Sequence, residues 1–115
     1  MKVYRDYLGG DIPKLEVLRE GVITRIFFDF ALEQKEVEGE TVEVLTCENV
    51  DARGVDYAGI VSAIVRDRYS ADAVEAILAN GSDSEQHAAD FEEFQAWRSK
   101  AKEVATAVVL ELEQA

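Results

Sequence analysis

His87 is the only histidine in the chain, and Glu85 and Asp90 stand close to it in sequence. Asp90 lies three residues on, hence on the same face if this stretch is helical. A metal site needs three or four converging ligands, and this group offers two well-placed ones without cysteine help. The plainer reading is a polar residue in the first turn of a helix. Cys47, the only cysteine, alternates with Leu45 and reads as a small half-buried side chain rather than a nucleophile. The paired acids Glu92 and Glu93, Glu36 and Glu38, and Glu111 and Glu113 lack the apolar setting that raises a carboxyl pKa for acid catalysis. Gly9-Gly10 lacks the third glycine of a dinucleotide fingerprint, and neither a phosphate loop nor a nucleophile elbow is present. Arg66-Asp67-Arg68 is the densest basic spot, at a predicted helix C-terminus where cations complement the dipole. These residues point to no enzyme, cofactor, metal or small-molecule substrate.

The elements that would position such groups belong to an acidic, globular chain. Its 115 residues suffice for one domain with one modest core. Twelve Lys and Arg against 24 Asp and Glu give a net charge of −12. That charge repels phosphate backbones and argues against nucleic acid as a partner. It suits either solubility or docking to a basic protein. A single cysteine forms no intrachain disulfide, which suits a reducing compartment. The opening Met1-Lys2-Val3-Tyr4-Arg5-Asp6 has no apolar signal core, and no apolar run reaches a membrane-spanning length. The expected location is the cytoplasm, or an assembly built there.

The clearest element runs from Val22 to Gln34. Val22, Thr24, Ile26, Phe28, Phe30 and Leu32 alternate with Arg25, Asp29 and Glu33, the period of a strand with one buried face. Phe27 breaks the alternation and marks a second patch. Glu38-Gly39-Glu40 supplies a turn, and Val42 to Val50 a second strand. Even residues then oppose even residues, and Val42, Val44 and Val50 share the face of Phe28, Phe30 and Leu32. A two-stranded hairpin is marginal alone, so helices or another subunit must cover it. Residues 1–21 allow two readings. Asp11-Ile12-Pro13 opens a short helix through Arg19, or Leu15-Glu16-Val17-Leu18 is a strand.

After a loop at Asp51–Gly54, helical spacing resumes. Tyr57, Ile60, Val61, Ile64 and Val65 mark a helix from about Asp56 to Arg68. Ser70 caps a second, with Val74, Ile77 and Leu78 as its stripe and Asn80-Gly81 as its stop. Ser82 with Glu85 reads as a capping box opening a long helix to about Glu113. Its stripe is Phe91, Phe94, Ala101, Ala105, Val108 and Leu112, and it suits packing on its own domain or a weak coiled-coil seam. The expected class is therefore α+β, an antiparallel hairpin or small sheet followed by two shorter helices and one long C-terminal helix. Phe27, Trp97, Val104, Val108 and Leu112 are the candidate interaction surface, including self-association, although an aromatic core anchor is the plainer role for Trp97.

Several segments carry a resemblance. They are Met1 to Tyr7, Thr46-Cys47-Glu48-Asn49-Val50, Tyr57 to Ser70, Val74 to Asn80, and Phe91 to Glu103. Together they resemble small phage and prophage proteins of gut bacteria, Bacteroides and relatives, over roughly residues 22–105. The resemblance implies a phage structural or assembly neighbourhood and assigns no functional residue. The expected function is a non-enzymatic structural or assembly protein acting through protein contacts. The alternative is an acidic regulatory inhibitor of a basic protein.

Overall fold

The computed structural model describes residues 1–114. The chain forms β1 (Lys2–Asp6), β2 (Leu15–Glu20), β3 (Ile23–Val37) and β4 (Glu40–Arg53), then α1 (Tyr57–Arg68), α2 (Ala71–Asn80) and α3 (Glu85–Gln114). The strands make one antiparallel sheet in the order β1-β4-β3-β2. The α+β class and the long last helix are as the sequence reads. Residues 1–21 are resolved in favour of strands. Leu15–Glu20 pairs with β3 from Phe28 back to Ile23, so no helix opens at Asp11.

The hairpin register departs from the expected one, for two reasons. The turn has only two central residues, Glu38 at φ 52° and Gly39 at φ 82°. Two positive φ values make the primed turn whose twist matches paired strands. Val37 therefore pairs with Glu40, and Leu32 with Leu45. The register then shifts between Phe28 and Ala31, at a bulge. Asp29 adopts φ 53° there, a left-handed conformation that a short polar side chain tolerates. Even–even pairing holds only on the far side of the bulge, where Phe28 opposes Glu48 and Ile26 opposes Val50. Phe30 and Leu32 consequently leave the face of Phe28 and Val50.

One face of the sheet carries the core. Ile26, Phe28, Val50 and Ala52 meet Ile60, Ile64 and Val65 of α1 and Phe94, Trp97, Ala101, Val104, Ala105 and Val108 of α3. Each large apolar side chain so buried contributes about 1.5–3 kcal/mol. Ala101 and Ala105, both fully buried, keep α3 close to its neighbours because a methyl fills little space. Thr24 is buried beside them, and its hydroxyl donates to the Gly54 carbonyl while accepting from Arg19.

The helix ends follow local chemistry. Asp56 accepts from the Gly59 amide and Ser70 from the Ala73 amide. Gly81 closes α2 at φ 56°. Ser84, not Ser82, caps α3 by accepting from the His87 amide at 3.1 Å. The expected capping box is displaced because the helix begins at Glu85 itself.

Candidate interaction surface

The residues with chemical potential are scattered. The His87 imidazole contacts Asp83, one turn before it, rather than Asp90. Asp90 instead accepts from Gln86 at 2.8 Å. Among the described residues, no group of three His, Cys, Asp or Glu side chains converges. A cleft of about 440 Å³ lies between Pro13–Leu15, the β3 bulge and α3; its charged lining is Lys14, Asp29, Lys100 and Glu103, of which Lys100 and Asp29 form an ion pair at 2.6 Å.

The proposed surface residues divide. Trp97, Val104 and Val108 are buried in the chain's own core. They are corrected from surface to core, because α3 turns this stripe onto the sheet and α1. Leu112 packs partly buried at the edge of that core. The coiled-coil alternative for α3 lapses for the same reason. Trp97 is the anchor that its type suggests. Its indole N–H donates to the Ile64 carbonyl at 2.9 Å, its ring tilts against Phe28 at 6.0 Å, and the Arg68 guanidinium lies 3.5 Å from its centroid.

Phe27 alone of the set faces away from the helices, and it is half-buried. Strand alternation places Val3, Arg5, Glu16, Leu45 and Cys47 on this same face. The sheet order puts Arg5 and Glu16 on opposite edge strands, and their side chains nonetheless meet at 2.7 Å. To do so the guanidinium reaches over the two central strands, 4.4 Å from the Phe27 centroid and 5.7 Å from that of Phe30. Cys47 is 1% exposed on this face. Burial pushes its thiol pKa up, with Arg5 opposing the rise. Arg5 and Glu16 are the residues that sequence reading missed. Their signal was parity, each sharing a face with Cys47, but that parity is meaningful only once β1 and β2 are known to flank the hairpin.

The second feature is the length of β3 and β4. β2 stops pairing with β3 at Phe28, and β1 pairs with β4 only from Val44 to Glu48. Beyond these limits the two central strands continue as an arm to the turn at Glu38-Gly39. On one face of it Tyr4 lies between two lysines, 5.5 Å from Lys2 Nζ and 5.3 Å from Lys35 Nζ. Lys2 also reaches Glu33 across β4 at 2.5 Å. Val37 and Val42 on the arm are exposed.

No protein-family model, curated protein or solved structure matches the chain. No helix is long and apolar enough to cross a membrane, among the described residues. What the fold defines is an α+β domain with helices on one sheet face and a strand arm projecting from it.

Proposed function

We propose that the protein is a non-enzymatic phage or prophage structural or assembly protein, acting through protein contacts made by this arm. One observation carries the reading. The arm is a two-stranded ribbon without a supporting layer of strands, and such ribbons are marginal in water. Its outer β3 edge leaves backbone donors and acceptors without a strand neighbour, which is a template for pairing with another chain. The resemblance to small phage and prophage proteins supplies the biological setting.

Fractionation of a phage-producing culture tests it. The protein is expected to travel with particles or with assembly intermediates. Its recovery only as a free chain, from both the particle and the intermediate fractions, contradicts the reading.

The charge supports a second reading, an acidic inhibitor. The net charge is −12, and Glu33, Glu36, Glu38, Glu40 and Glu43 all lie on the arm. Binding of this kind to a basic protein weakens steeply with added salt, so salt-insensitive binding excludes it.

A further inference from the structure

The free β3 edge has a feature that favours one occupant. The turn makes Val37–Glu40 the closing hydrogen-bonded pair, so the backbone groups of Lys35, Glu33 and Ala31 point toward β4. Those of Glu36, Gln34 and Leu32 therefore point outward, away from the sheet. An antiparallel copy of the same segment can pair there about a two-fold axis through one outward residue.

Registers centred on different residues are not equivalent. An axis at Gln34 sets Glu33 opposite Lys35 twice, Ala31 opposite Val37 twice, and Gln34 opposite itself. Glu33 and Lys35 then form the non-hydrogen-bonded pairs, where cross-strand side chains come closest. An axis between Gln34 and Lys35 would oppose Glu33 to Glu36, and one at Lys35 would oppose Glu33 to Val37. Of these three, only the first satisfies both the charges and the outward amides. The available length agrees as well. In that register Glu38 of the second copy arrives beside Phe30, just short of where β2 begins to pair at Leu15–Phe28. Lys14 stands at that point, next to the acidic turn it would meet.

We propose that two copies of this chain join edge to edge through residues 31–37 of β3, forming one continuous sheet of eight strands with the helices of both copies on the same face. This rests on the interaction reading above and names the partner as a second copy. Natural sheet edges use charge to block such pairing. Here the charges of the segment complement themselves in one register.

The test is the mass of the full chain by light scattering and sedimentation, from about 1 µM to about 1 mM, the range of weak to moderate association. A dimer is expected. Lys35→Glu makes both cross-edge pairs repulsive and weakens it by about tenfold or more, and Glu33→Lys with Lys35→Glu together restores it. Circular dichroism checks that each variant stays folded. In a Cys47→Ser background, Gln34→Cys is expected to give a disulfide-linked dimer under mild oxidation. Its Cα pair on the axis falls at about 5.5 Å, within disulfide reach. Glu36→Cys, opposite Leu32, is not expected to do so. A monomer throughout, or a dimer indifferent to Lys35→Glu, overturns the inference. Hydrogen exchange of the arm separates the two levels. If the monomeric chain gains arm protection only with a phage fraction, the second copy is wrong and the interaction reading stands. If nothing protects the arm, both fall.

Discussion

The indole N–H of Trp97 donates to the main-chain carbonyl of Ile64, 2.9 Å away, and so fixes the rotation of α3 against α1. The ring is 6% exposed and covered on one side by the Arg68 guanidinium. Trp97→Phe keeps most of the apolar contact and loses the hydrogen bond and part of the ring. It is expected to cost about 1–2 kcal/mol, and Trp97→Ala about 3–5 kcal/mol, both read from urea unfolding. An alanine cost below about 1 kcal/mol would contradict the anchoring role.

Glu48 gives the fold an acid-sensitive point. Its carboxylate lies 2.7 Å from Arg68 and 3.3 Å from the Met1 ammonium. Burial by itself pushes the carboxyl pKa up, but the two cations together outweigh it and hold the group below the ordinary glutamate range. A lowered folded pKa contributes stability above the unfolded value of about 4.3, and that contribution drains away as pH falls through the folded value. Glu48→Gln is expected to cost about 1–3 kcal/mol at neutral pH and progressively less as the wild-type carboxyl protonates. Paired unfolding curves at pH 7 and at about pH 3 check the sign. A cost that is the same at both would show that the charge is not what matters.

Cys47 reports on the face opposite the helices. Its side chain is buried, and that burial pushes its thiol pKa up. A disulfide reagent such as dithiobis-nitrobenzoate is expected to modify it at least about a thousandfold more slowly than a free thiol, at the pace of opening. Arg5→Ala removes the side chain that spans the sheet to Glu16 and is expected to speed labelling while circular dichroism stays native. Unchanged labelling in that variant would mean that the Arg5–Glu16 pair does not roof this face.

The hairpin and the helices are legible because their signals are local. Alternation from Thr24 to Phe28 and the stripe Ile60, Ile64 and Val65 reflect which positions share a face, a matter of backbone period alone. Ser70 and Gly81 mark the ends of α2 by chemistry within a few residues. The short N-terminal strands were not legible. A five-residue strand such as β1 has too few positions to show a period, and its pairing with β4 is a long-range choice. The bulge at Asp29 was hidden because an inserted residue keeps the hydrophobic pattern of its neighbours while reversing the face of everything beyond it.

The interaction surface divides along the same line. By itself the sequence determined an acidic α+β chain, a hairpin turning near Gly39, and an apolar stripe on a long last helix. Only the tertiary structure decided which stripe was spent. Val104 and Val108 are the same side chains on an isolated helix and in the folded chain, and their burial follows from where α3 docks. Likewise β3 alternates whether or not a neighbour pairs with it. That its edge stays open from the bulge to the turn follows from β2 ending its pairing at Phe28. Backbone period is local, whereas the partner of a face or an edge is set by the packing of residues far apart in the chain.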